Sequence, residues 1–126
     1  MQKNLEDAMN ACPAYRMMKM IGGRWKLNIL YQLHQGIHRY SDLQRCLPGI
    51  TPKMLTQQLR ELEGDGIIHR EVYRQVPPKV EYSITPLGET LRPTIQAMID
   101  WSQTNAPVQV REGTEAGKSE LKKHEY

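Results

Sequence analysis

Apolar residues recur along this chain with two different periods. From Leu5 to Leu62 they return every three or four positions, as they do on helices buried along one side. Leu5, Ala8, Met9 and Cys12 share one side of a short helix within residues 1–11. "CPAYRMMKMIGG" predicts a second helix, with Pro13 in its first turn and Gly22-Gly23 as its stop. "RWKLNILYQLHQG" predicts a third, with Trp25, Ile29 and Leu33 at i, i+4 and i+8, Leu30 beside them, and Gly36 at the end. "YSDLQRCLPG" is a short fourth helix, where Ser41 and Gln44 have the spacing of a capping box and Pro48-Gly49 closes. "TPKMLTQQLRELEGDG" is the fifth, running from Pro52 to Glu63 behind Thr51 as N-cap. Its Leu55, Leu59 and Leu62 fall within about 60° of one another, while Lys53, Thr56, Gln57 and Arg60 span about 100° on the other side.

After Gly66 the period shortens to two. "IIHREVYR" and "KVEYSIT" are short, β-branched and aromatic, and Val80, Tyr82 and Ile84 alternate with Lys79, Glu81 and Ser83. "QVPP" between them contains two prolines that cannot donate to a ladder, so it forms the tip of a hairpin. "TPLGETLRPTIQAMIDWSQT" returns to helical spacing, with Leu87, Leu91, Ile95, Met98 and Ile99 as its stripe. Pro93 inside it predicts a kink or a restart, because an interior proline costs about 3 kcal/mol. The predicted class is mainly α with a small β-hairpin, in one domain over residues 1–105. From 106 to 126 the chain is polar, has no stripe, and reads as a tail, weakly helical at most in "SELKKHEY".

Two helices joined by a tight turn and followed by a hairpin describe a winged helix-turn-helix. The fifth helix is about 18 Å long, and a helix of that size fits a major groove about 12 Å wide. Lys53 reaches phosphate or guanine, Gln57 can pair bidentately with adenine, and Arg60 can take guanine or phosphate. Thr56 touches phosphate or a thymine methyl, and Thr51 with the N–H groups at the helix start suits a phosphate. Arg74 and Lys79 flank "QVPP" and make a candidate wing grip. The plainer account of the same residues is a solvated helix face and exposed strand ends.

The hairpin, the capped preceding helix and the local charge favour the first account for the fifth helix, while for Arg74 and Lys79 both accounts stay open. The whole chain carries +3, but Arg16 to Lys79 holds eleven Lys/Arg against five Asp/Glu, and the remainder six against nine. An anionic partner is drawn to the segment that contains the fifth helix. No phosphate loop, HExxH, GxSxG or paired catalytic carboxylate occurs, so the reading is not an enzyme and needs no cofactor. His34 and His38 have metal-pair spacing with Gly36 between them, and no metal site is expected. Neither a signal-like start nor a run of roughly 18 apolar residues is present, which predicts a soluble cytoplasmic protein.

"CPAYRMMKMIGGRWKLNIL", "HRYSDLQRCLPGITPKMLTQQLRELEGDGII" and "VPPKVEYSITPLGETLRP" resemble the HxlR-type bacterial transcriptional regulators over about residues 12–102. The resemblance implies a homodimeric, DNA-binding winged helix-turn-helix protein whose dimer is made by helices at both ends of the chain, here residues 1–11 and about 86–104. Within its Arg39-Tyr40-Ser41 segment, Arg39 and Ser41 join the DNA-facing set. A two-fold dimer implies a pseudo-palindromic operator. Some members use a cysteine equivalent to Cys12 to sense oxidants, quinones or aldehydes.

Cys12 stands at the N-cap of the second helix with Arg16 one turn on, surroundings in which a thiol becomes reactive. The alternative is a small packing residue at the dimer interface. Cys46 reads first as a core residue near Leu43, and second as the partner of Cys12 from the other chain in an oxidation-formed disulfide. Two further functions stay open: a winged-helix protein-interaction module that does not bind DNA, and a ligand-controlled regulator with structural cysteines whose inducer is unknown.

Overall fold

A computed structural model describes residues 2–106 and 108, with side chains from Leu5 onward. The elements in chain order are α1 (Gln2–Asn10), α2 (Pro13–Ile21), α3 (Lys26–His34), α4 (Tyr40–Cys46), α5 (Pro52–Gly64), β1 (Ile68–Tyr73), β2 (Lys79–Ile84), α6 (Pro86–Glu89) and α7 (Arg92–Asn105). They divide into two compact units, Met1–Thr90 and Leu91–Tyr126.

In the first unit the helical stripes converge on one core. Ile21, Ile29, Leu30, Leu43, Leu55, Leu59, Leu62, Ile67 and Ile68 are fully buried. Each such side chain contributes about 1.5–3 kcal/mol over leaving it in water. α5 packs on α2, α3 and β1, and α4 packs on α3 and β2. Thr51 caps α5, its hydroxyl accepting from the Met54 N–H at 3.1 Å. The turn between α2 and α3 depends on two glycines. A Cβ on Gly22 would strike the Met18 carbonyl oxygen, and Gly23 takes φ +92°. Beyond the turn, Lys26 is buried and its ammonium lies 3.8 Å from Glu61 on α5.

The capping box expected at Ser41 and Gln44 does not form. Arg39 is the N-cap of α4, without a side-chain cap, and Ser41 lies inside the first turn. The reason is tertiary. The Tyr82 N–H donates to the His38 carbonyl at 2.8 Å, and Arg39 bridges Glu81. With residues 38 and 39 held extended against β2, the chain enters the helix before Ser41.

β1 and β2 form an antiparallel hairpin, in register from Ile68 opposite Ile84 to Tyr73 opposite Lys79. Thr85 fastens its base. The Thr85 N–H donates to the Ile67 carbonyl at 3.1 Å, and its hydroxyl hydrogen is shared between the carbonyls of Gly66 (2.6 Å) and Ile67 (3.0 Å). The same oxygen accepts from the Gly88 N–H at 3.0 Å and caps α6. Gly88 is buried, and a Cβ there would collide with the Ile67 carbonyl oxygen and lie 2.7 Å from Ile84 Cγ2.

In the second unit, Pro93 stands in the first turn of α7, so the helix restarts there and does not kink. Leu87 lies in α6 and Leu91 is the N-cap of α7, so the expected continuous stripe is broken at the turn between them. Gln96 donates to Asp100 along the polar side of α7, and Trp101 is exposed. The expected tail lies outside the described residues except for Ala106 and Val108.

Gly88→Ala should lower stability by about 1–3 kcal/mol, the usual cost of forcing an extra methyl into a closed contact. Urea denaturation measures it, and an unchanged midpoint would show that α6 is not held this close to Ile67 and Ile84.

Candidate nucleic-acid interface

Burial of the α5 leucines turns the opposite side of the helix outward. Lys53, Gln57 and Arg60 are exposed and Thr56 is half-buried. All four line one open groove, together with Pro52 and Glu61. Glu61 is the carboxylate in this otherwise basic or neutral set. Its Oε2 accepts from Gln58 at 3.2 Å and its Oε1 faces Lys26, so its charge is partnered from inside the protein. The hydroxyl of Thr51 is committed to capping, which satisfies one of the N–H groups that a phosphate at this helix start would otherwise use.

Beside α5, the start of α4 and the hairpin enclose a second hollow. Arg39, Ser41 and Lys79 line it, as expected residues brought together from distant parts of the chain. Arg70 and Gln75 line it too, and neither was singled out from the sequence. The signal for Arg70 is the strand register, which sets it opposite Tyr82. Burial pushes the Tyr82 phenol up from its ordinary range, and the Arg70 guanidinium partly opposes that. Arg74 lies on the exposed hairpin tip, outside this hollow.

Lys79 is engaged within the hairpin. Its ammonium is 2.9 Å from Glu81 and 4.7 Å from the centre of the Tyr73 ring. Lys79 holds the Glu81 carboxyl below the usual glutamate range, and the charges of Arg39 and His38 add to this. Glu81 takes one of the three donor positions of the Lys79 ammonium.

Cys12 is exposed at the N-cap of α2, and Cys46 is half-buried at the last residue of α4. Near Cys12, Arg16 Nη1 donates to the Asn10 carbonyl at 2.6 Å. The His38 ring donates through Nδ1 to the Tyr82 carbonyl at 2.9 Å, which fixes its tautomer. Among the described residues, no three His, Cys, Asp or Glu side chains are grouped to hold a metal ion. No described helix is long and apolar enough to cross a membrane.

Three comparisons bear on this geometry. The family described as "HxlR-like helix-turn-helix" matches residues 20–110. The chain is 48% identical over 107 residues to the "uncharacterized HTH-type transcriptional regulator YybR" of Bacillus subtilis (strain 168), covering 85% of this chain and 86% of that protein. Among solved structures it is similar to the redox regulator HypR in its oxidized form, with a TM-score of 0.71, 50% identity, and coverage of 77% of this chain and 100% of that one. The reduced form of the transcriptional regulator YodB from B. subtilis matches with a TM-score of 0.67 and 33% identity, over 78% of this chain and 98% of that one.

In a carbon-detected titration, Glu81 should lose its proton below the ordinary glutamate range, and Lys79→Met should bring that transition upward. Because the folded-state value is depressed, the pairing contributes at neutral pH and fades as pH falls through it. A Glu81 transition indifferent to Lys79→Met would remove this account of the wing.

Proposed function

The chain belongs to the HxlR-like helix-turn-helix family, and from that premise we propose that this transcriptional regulator binds DNA as a homodimer, with α5 in the major groove. The observation that carries the reading is the groove of α5, where Lys53, Thr56, Gln57 and Arg60 face outward from a helix fixed by buried leucines. Arg60 and Gln57 suit base edges, and Lys53 suits phosphate or guanine. Arg39 and Ser41 at the start of α4 and Arg70 and Lys79 on the wing hold the flanking backbone, with Arg74 at the wing tip and Thr51 at the start of α5. Residues 1–105 act as one functional domain. α1, with Leu5 and Met9 exposed, and α7, with Trp101 exposed, supply apolar surface for a second copy. A two-fold dimer reads half-sites about 34–36 Å apart, or a multiple of that distance.

Fluorescence anisotropy on the intergenic DNA beside the protein's own gene tests this. Arg60→Ala should lose specific affinity by at least about fivefold, the lower range for a bidentate base contact, while its circular dichroism stays unchanged. Specific binding as tight as wild type would remove α5 as the reading element. Wild-type affinity should also fall steeply with salt. A protein-interaction module would show neither effect.

The same regulator is proposed to respond to thiol oxidation through Cys12. The exposure of Cys12 and the similarity to HypR, itself described as a redox regulator, support this. The bond proposed joins Cys12 Sγ of one chain to Cys46 Sγ of the other. Two thiols give up two protons and two electrons to an oxidant such as diamide, which is reduced to the hydrazine. Diamide treatment should produce a dimer band on a non-reducing gel for wild type and none for Cys12→Ser or Cys46→Ser. A band that survives in Cys46→Ser excludes this pairing. DNA binding indifferent to oxidation would instead favour control by a ligand, with both cysteines structural.

A further inference from the structure

Tyr40 opens α4, and its hydroxyl reaches the first turns of α5. It lies 3.0 Å from the Pro52 carbonyl oxygen and 3.1 Å from Thr56 Oγ1. A phenol has one hydrogen to donate, and a carbonyl can only accept. The Tyr40 hydrogen therefore goes to Pro52. The second contact is a full hydrogen bond only when Thr56 donates and the phenol oxygen accepts. A Tyr40 hydrogen shared between Pro52 and Thr56 would give two weaker bonds, so donation by Thr56 satisfies both contacts best. The single hydrogen of the Thr56 hydroxyl is thus committed inside the protein, and only lone pairs of Oγ1 remain for the groove that Thr56 lines.

We infer that Tyr40 is a positioning residue that makes Thr56 an obligate hydrogen-bond acceptor, so that the groove selects a base carrying an exocyclic amino group where Thr56 faces it. The inference rests on the DNA-reading function proposed above and narrows it. In the major groove adenine offers N6–H and cytosine N4–H, whereas guanine O6 and thymine O4 only accept. A freely rotating threonine hydroxyl serves either kind and discriminates little. One whose hydrogen points at Tyr40 must give up that bond to donate to O6, to O4 or to a phosphate oxygen. This replaces the phosphate contact expected of Thr56 from the sequence. Among the neighbours, Lys53 and Arg60 are donors only, Gln57 can donate and accept, and the Glu61 carboxylate is already partnered by Gln58 and Lys26, so a preference that follows Tyr40 and Thr56 is distinct from one read by Gln57.

The test is selection of bound duplexes from a randomised DNA library by the full-length protein, read by sequencing. Wild type, Tyr40→Phe, Thr56→Val, Thr56→Ser and the Tyr40→Phe/Thr56→Val double variant are compared. Wild type should enrich adenine or cytosine over guanine and thymine at one base position of the site. Tyr40→Phe should reduce that preference roughly three- to tenfold, the range of one net hydrogen bond, and leave the other positions as they were. Thr56→Val should lose the preference, the double variant should match Thr56→Val alone, and Thr56→Ser should retain it. A purely structural Tyr40 would weaken binding to all sequences alike and leave the base profile unchanged. That result overturns the inference while the DNA-reading function stands. A wild-type protein that enriches no sequence overturns both.

Discussion

The burial of Leu55, Leu59 and Leu62 fixes the rotation of α5, and the rest of the candidate interface depends on that angle. All three side chains are at most 1% exposed, so a turn of the helix about its axis would bring leucine into water and lysine into the core. Truncating one such leucine typically costs 2–5 kcal/mol, a large part of the stability of a domain this size. The outward set of Lys53, Thr56, Gln57 and Arg60 is therefore specified by residues that never meet a partner. Lys26 adds a finer control, since its ammonium reaches Glu61 on the same helix from a buried position on α3.

The second half of the interface is placed by backbone as much as by side chains. The hairpin is joined to the helical body at both of its long edges in sequence. At its base, Thr85 ties α6 to the carbonyls of Gly66 and Ile67, and Gly88 lets that helix approach closely. Along β2, the His38 and Arg39 backbone adds a short pairing. That pairing brings Arg39 and Ser41 to the same hollow as Arg70 and Lys79.

Much of this was legible in the sequence, for identifiable reasons. α5 and its exposed face could be read because one short stretch holds an N-cap, a proline, a clean leucine period and a glycine stop. The hairpin could be read because alternation begins where helical spacing ends. What could not be read involves partners far apart in sequence. Ser41 and Gln44 have capping-box spacing, but pairing with β2 forty residues later starts the helix earlier. Arg70 looked like one polar residue among several until the register set it opposite Tyr82. The link from Tyr40 to Thr56 joins two helices and depends on how a single hydrogen is shared, which no spacing rule encodes. Lys79 was visible as a charge, but its engagement with Glu81 was not.

That engagement bears on how such a protein finds its site. A cation already held by its own carboxylate gains little when it first meets a phosphate, because one partner is exchanged for another. Under the DNA binding proposed above, a phosphate at the wing would compete with Glu81 for the same ammonium, so Lys79 would add less grip there than its charge alone implies.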